Sequence, residues 1–226
     1  MNQNKITFCT GVGTVTGANF LFEAVGKKIL VDCGMVQGER VAQQQNYEPF
    51  GYDVASIDFL FITHAHLDHV GRIPKLVKEG FRGVIYSTSE TRELAELVLN
   101  DAVNILTMEA EQHGLEPLYN VDDVAQVFPL WKTIAYHEKF EVTPGVSVFL
   151  KDAGHILGSS MFEFSIGNKK VLFTGDLGNS PAPLLRDTEP VGDVDYLIME
   201  SVYGDRNHET RETRLEEFTK VINDTL

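Results

Sequence analysis

The chain is poor in cysteine. Only Cys9 and Cys33 occur in 226 residues, too few for a disulfide framework; one bridge is the most they could make, and a reducing compartment suits them better. Long apolar runs are also missing. No stretch approaches the roughly eighteen apolar residues needed to span a bilayer, and Met1-Asn2-Gln3-Asn4-Lys5 leads into no run of signal length. These absences predict a soluble, cytoplasmic chain with no membrane partner. Positive charge is scarce too: 19 Lys and Arg stand against 33 Asp and Glu, a net charge of −14. That excludes indiscriminate binding to polyanions. A nucleic-acid partner would need local positive charge, from bound metal or from a segment outside these residues. There are no internal repeats and no low-complexity tracts.

What remains is the composition of a globular protein, 43% hydrophobic and 23% charged. A chain of this size can bury about 72% of its extended surface, enough for one full core without disulfides. The first third reads as strands. Ile6 to Cys9 ends at the turn-rich Thr10-Gly11-Val12-Gly13, and Asn19 to Val25 pairs with Lys28 to Asp32 across Gly26-Lys27. Asp58 to Thr63 is a continuous apolar run, the pattern of a strand buried on both faces.

A helix with Val70, Ile73, Leu76 and Val77 inward follows, ending at Gly80. After a short strand at Gly83 to Tyr86, Ser87-Thr88-Ser89-Glu90 has capping-box spacing. The helix it opens places Leu94, Leu97, Val98 and Ile105 at helical intervals, and further helix is expected over 105–130 with a break near Gly114. Strands return over Thr133 to Val142, Ser147 to Lys151, Met161 to Ile166, Lys170 to Thr174 and Tyr196 to Met199. A final helix is expected over 209–226, with Leu215, Phe218 and Ile222 on one face. The order predicts a layered α/β protein with two sheets and outer helices. The chain stops inside the last helical pattern, without a capping Gly or Pro, which reads as truncation.

The chemistry concentrates in His64-Ala65-His66-Leu67-Asp68-His69, directly after the buried strand. Residues two apart in an extended segment point the same way, so His64 and His66 can share one metal. Asp68 and His69 lie where the chain turns into helix and can face a second. A mixed imidazole and carboxylate set suits Zn²⁺, with Mn²⁺ or Fe²⁺ as competitors. Two later strand ends offer completions: His155 among small residues in Ala153-Gly154-His155-Ile156-Leu157-Gly158-Ser159, and Asp176 in Thr174-Gly175-Asp176-Leu177-Gly178. Alone, His155 would be a loop histidine and Asp176 a turn or N-cap residue. Beside the first cluster both join it, and an Asp can bridge two metals through its two oxygens. Arg72, Lys75, Lys78 and Arg82, close by in sequence, read as a solvated helix face.

These segments, with Gly11 to Asn19, Asp32-Cys33-Gly34 and Met199-Glu200-Ser201-Val202-Tyr203-Gly204, resemble the metallo-β-lactamase superfamily. More narrowly, they resemble its β-CASP RNA-processing branch, to which the cleavage-and-polyadenylation endonuclease subunit belongs. The resemblance implies an αββα sandwich over residues 1–206. This sandwich is incomplete because the chain ends at the start of a β-CASP insert, whose first helix would occupy 207–226. It also implies that His64, His66 and His155 hold one zinc, that Asp68 and His69 hold the other, and that Asp176 bridges them. Asp32 would support the metal loop as a catalytic accessory. Glu200, which on spacing alone reads as a surface or N-cap carboxylate, would orient a catalytic histidine.

In this branch that histidine and a last metal ligand lie beyond the insert. His208 is too close to Glu200 to be either, and His113 and His137 have no motif context. The expected activity is zinc-dependent hydrolysis of single-stranded RNA, impaired in this chain alone. The alternatives are a hydrolase of a small ester, thioester or lactone, and a non-catalytic scaffold. A homodimer is left open.

Overall fold

The computed structural model describes residues 4–38, 44–179, 181–182, 184–207 and 211–226, with the backbone alone at 211 and 212. Six strands form the first sheet in sequence order: β1 (Lys5–Thr10), β2 (Asn19–Ala24), β3 (Lys27–Val31), β4 (Phe59–Phe61), β5 (Val84–Ser87) and β6 (Trp131–Thr133). The first three are antiparallel neighbours, and β3 through β6 run parallel. The second sheet has the order β11-β10-β9-β8-β7, from β7 (Lys139–Thr143), β8 (Val146–Asp152), β9 (Ser160–Ile166), β10 (Lys169–Phe173) and β11 (Tyr196–Ile198). Only its β10–β11 pair is parallel.

The helices are α1 (Leu67–Val70), α2 (Ile73–Lys78), α3 (Ser89–His113), α4 (Val121–Ala125) and α5 (Arg211–Thr225). Strand periodicity explains the layers. On β4, Phe61 points between the sheets and meets Phe162 and Phe164 at ring-centroid distances of 5.3 and 5.0 Å. Its neighbours Leu60 and Ile62 point the other way, into a cluster with Leu76, Val77, Leu99 and Val103 under the helices. The apolar run is therefore buried on both faces, and each such side chain contributes about 1.5–3 kcal/mol. Among the described residues, the outer side of the second sheet carries only a small cluster of Ala153, Met161 and Leu172 with Leu177 and Val194. The α5 side chains Leu215, Phe218 and Val221 are exposed.

Four local expectations need correction. The segment Thr133 to Val142 is not one strand: β6 closes the first sheet, β7 opens the second, and the crossing turns at His137 with φ 63°. Both pieces are β, so periodicity had no signal for the switch of sheet. On α3 the buried stripe is Ala95, Leu99, Ala102, Val103, Leu106 and Ala110, while Leu97 and Ile105 face solvent. Leu94 and Val98 pack against the same core cluster as expected, but alanines make up much of the buried stripe, so counting apolar bulk misses its centre. Its N-cap is Thr88, whose side chain accepts from Thr91 N, one residue later than the capping-box spacing suggests. Gly114 ends α3 in the left-handed conformation, the break expected there, but beyond it the helix expected to 130 is only the short α4 and a 3-10 turn at Phe128–Leu130.

Candidate metal centre

The C-terminal ends of β3, β4, β8, β10 and β11 each feed one loop of the site. The hub is Asp32, directly after β3, almost fully buried and held at φ 58°. A non-glycine residue adopts that conformation only when its surroundings impose it. Here Asp32 N donates to Phe61 O, and Asn19 Nδ2 donates to Asp32 O. The carboxylate accepts three hydrogen bonds: Thr63 N to Oδ1 at 2.8 Å, and Thr63 Oγ1 and His69 Nδ1 to Oδ2, both at 2.8 Å. Because the carboxylate only accepts, Nδ1 carries a proton, which leaves Nε2 as the nitrogen that can give up its proton to a metal. Thr63 Oγ1, having donated to Asp32, is an acceptor for His64 Nδ1 at 3.1 Å. That sets His64 Nε2 as a lone pair.

His64 Nε2, His66 Nδ1, His155 Nε2 and an Asp176 oxygen converge, all within 4.8 Å of one another. His66 Nδ1 lies 3.0 Å from His64 Nε2 and 3.1 Å from His155 Nε2. Asp176 Oδ2 is 3.8 Å from His64 Nε2 and 3.6 Å from His155 Nε2. One proton on His66 could satisfy only one of its two short contacts; a cation satisfies all four donors. Donors on a tetrahedral zinc with bonds of about 2.0–2.1 Å are separated by roughly 3.3 Å, so the set fits such an ion.

The other Asp176 oxygen, Oδ1, faces His69 Nε2 at 3.3 Å, and Asp68 Oδ2 is 3.9 Å from the same nitrogen. Asp176 thus turns one oxygen to each group. Its loop is tied on both sides: Gly178 N donates to Ala153 O, Thr188 Oγ1 also donates to Ala153 O, and Leu177 N donates to Glu200 Oε1 at 2.9 Å. Glu200 therefore positions the Asp176 loop; among the described residues no histidine contacts it. His208 lies outside the described residues.

Gly34 shows how tightly these loops approach. A Cβ there would stand 1.5 Å from the Asp68 carbonyl oxygen, in the stretch where Cys33 N donates to His69 O and Met35 N to Leu67 O. Gly34→Ala must push the Asp68–His69 backbone away. Its expected cost is about 3 kcal/mol or more, a fall in melting temperature of roughly 6–12 °C. Thermal unfolding of the purified variant checks this, and an unchanged midpoint would contradict the packing.

Charge completes the picture. Burial, then the neighbouring imidazoles, push His64 well below the usual imidazole range; His66 is lowered for the same reasons. Burial presses on His69 as well, but the Asp32 and Asp176 carboxylates overcome it and raise it to about 10. Burial pushes Asp68 up. It pushes Asp176 the same way, yet the hydrogen bond and charge of His69 hold Asp176 below the usual range. The metal-free chain therefore has two opposed slopes. The contribution of neutral His64 and His66 is lost as pH falls below the unfolded value of about 6.5. The contribution of His69 is whole below that value and is lost as pH rises toward 10. Urea unfolding of metal-free chain should show greatest stability near pH 6.5, and stability still climbing from pH 7 to 9 would refute the His69 assignment.

Arg72 and Lys75 correct the reading of a solvated face: both are about 95% buried. Arg72 donates from Nε to Gly34 O at 2.6 Å and from NH2 to Thr10 Oγ1 at 3.0 Å. Lys75 donates to Glu48 O and pairs with Glu79, and both cations lie over the Phe50 ring. Thr63 has no role in the sequence reading; its place at the strand end, directly before His64, is the one available signal.

This fold, with metal-binding loops gathered at one end of a two-sheet sandwich, matches a known class. Residues 12–217 match the family described as the metallo-beta-lactamase superfamily, and the chain belongs to it. Its relatives place it in the β-CASP RNA-processing branch. Ribonuclease TTHA0252 of Thermus thermophilus is 36% identical over 212 residues, which cover 94% of this chain and 47% of that protein. Cleavage and polyadenylation specificity factor 73 of Drosophila melanogaster is 35% identical over 215 residues, 94% of this chain and 31% of that protein. Transcription termination factor FttA of Cenarchaeum symbiosum is 31% identical over 232 residues, covering all of this chain and 35% of that protein. The chain spans about half the length, or less, of these relatives.

Proposed function

We propose that this chain carries the metal-binding portion of a zinc-dependent hydrolase that cleaves phosphodiester bonds of single-stranded RNA. The observation that carries the reading is Asp176, with one oxygen toward His64 and His155 and the other toward His69. That is the arrangement of a carboxylate shared between two metal positions. His64, His66, His155 and Asp176 would hold one ion; Asp68, His69 and Asp176 would contribute to the other. Zinc bound there would bring the pKa of a coordinated water toward neutrality and offset negative charge on the phosphoryl oxygens.

The chain's own residues prepare the site. Asp32 fixes the His69 tautomer, Thr63 fixes that of His64, and Glu200 holds the Asp176 loop. The branch and the names of its ribonuclease relatives support RNA as substrate. We further propose that residues 1–206 belong to the lactamase domain and that 207–226 begin a second one, a reading supported by the exposed apolar side chains of α5.

The test uses zinc-loaded chain against end-labelled single-stranded RNA and against a chromogenic ester. Slow, chelator-sensitive RNA cleavage with no ester turnover is the expected result. Ester hydrolysis with no action on RNA would replace this reading with the small-molecule one.

A further inference from the structure

The groove beside the metal centre has a volume of about 520 Å³. Asp32, His69, Asp176 and Glu200 line one side of it, and the glycine-rich loop from Gly11 to Thr16 lines the other. In a chain of net charge −14, an RNA phosphate entering this groove meets several carboxylates. Something other than surface lysine must offset them.

The loop has the means. Gly11 and Gly13 adopt φ of 80° and 71°, a left-handed backbone that turns the chain along the groove. Among the described residues, no protein acceptor takes a hydrogen bond from the amides of Val12, Gly13, Thr14 or Val15. The loop is nonetheless fixed at both ends. Thr10 Oγ1 donates to Gly17 O, and Thr16 Oγ1 exchanges hydrogen bonds with the Gln37 backbone at 3.0 and 3.2 Å.

Arg72 meets the base of the loop at Thr10. It is buried, bonded to Thr10 Oγ1 and Gly34 O, and among the described residues has no carboxylate within ion-pair distance. A buried cation without a counter-anion projects its charge through a low-dielectric medium more strongly than a solvated one. Val12 and Val15 add exposed apolar side chains to the same groove lining, each 63% accessible. Successive backbone N–H groups in such a turn are a recognised form of anion cradle, and Arg72 adds positive charge at its base.

We propose that the Gly11–Thr16 loop, with Arg72 bonded at its base through Thr10, binds a phosphate of the RNA strand next to the bond being cleaved. This subsite rests on the RNA-hydrolase reading and adds to it a means by which an acidic protein grips a polyanion. Its recognition is of backbone phosphate, so it carries no sequence preference.

The experiment is a titration of ¹⁵N-labelled, zinc-loaded chain with a 5′-phosphorylated uridine dinucleotide, whose linking phosphate carries methylene in place of both bridging oxygens so that water cannot cleave it, and separately with inorganic phosphate. The amides of Val12 to Val15 should shift and saturate with the dinucleotide at lower concentration than with free phosphate. Val15→Asp should weaken dinucleotide binding about tenfold and Val15→Lys should strengthen it. Leu97→Asp, the same charge change on the exposed side of α3, should leave it unchanged. Shifts confined to the His155 and Asp176 loops would overturn the subsite and leave the RNA reading standing. Equal response to free phosphate would reduce the loop to a phosphate site and overturn the subsite as a substrate contact. Silence of every amide toward the dinucleotide would count against both.

Discussion

Asp176→Ala is expected to remove RNA hydrolysis by about a thousandfold or more, while the chain stays folded and keeps one zinc. The size follows from the role proposed for the side chain. A carboxylate shared between two metal positions aligns both with the phosphoryl group, and losing such electrostatic alignment costs several kcal/mol of barrier, where about 4 kcal/mol is a thousandfold in rate. Retention of one zinc follows from the geometry: three imidazole donors, His64, His66 and His155, remain within reach of one ion, and three histidines suffice to hold zinc. Folding should survive because Asp176 is partly exposed and its loop is held from elsewhere, by Gly178 N on Ala153 O and Leu177 N on Glu200. Metal analysis and initial rates on the same preparation decide it. A variant that keeps the rate would show that Asp176 is not shared, and one that loses all metal would show that the histidines do not hold an ion unaided.

That donor set was legible in the sequence for a physical reason. His64, His66, Asp68 and His69 lie within one strand end and the following turn, where local geometry alone points them together. His155 and Asp176 are distant in sequence, but each sits directly after a strand between small residues, and loops at strand ends in a two-sheet sandwich gather at one end. What stayed hidden depends on tertiary packing. Arg72 and Lys75 fit a solvated face by composition, yet the structure buries both around Phe50 and the Gly34 carbonyl. The centre of the buried face of α3 escaped because alanines line it, although Leu94 and Val98 at its edge were legible. Glu200 also accepts from the amides of Leu177 and Val202, a role the sequence did not suggest. Backbone partners leave no trace in residue identity.

Asp32→Asn should do the second largest damage, although it changes one atom and lies outside the ligand set. The carboxylate accepts from three donors: Thr63 N on one oxygen, Thr63 Oγ1 and His69 Nδ1 on the other. An asparagine has one oxygen and one NH₂. If its NH₂ faces Thr63 N, two donors meet in a buried site, at a cost of about 1–3 kcal/mol. If its NH₂ faces His69, the ring must present Nδ1 as an acceptor. The proton then moves to Nε2, against Asp176 Oδ1, and the lone pair aimed at the second metal position is lost. Either orientation fails, and the second fails chemically.

The expected result is a 10–100-fold loss of affinity for the second metal, the usual range for removing a carboxylate behind a ligating histidine. A fall of roughly 4–8 °C in melting temperature should accompany it for about 2 kcal/mol lost. Thr63→Val separates the two roles: it deletes the hydroxyl that serves Asp32 and His64 but leaves the His69–Asp32 bond intact. It should therefore weaken the His64 site more than the His69 site. The ¹⁵N shifts of the His69 ring report its tautomer directly. If Nδ1 still carries the proton in Asp32→Asn and the second metal still binds, the carboxylate is not what sets the ring, and Thr63 Oγ1, 3.3 Å from the same nitrogen, is the group that does.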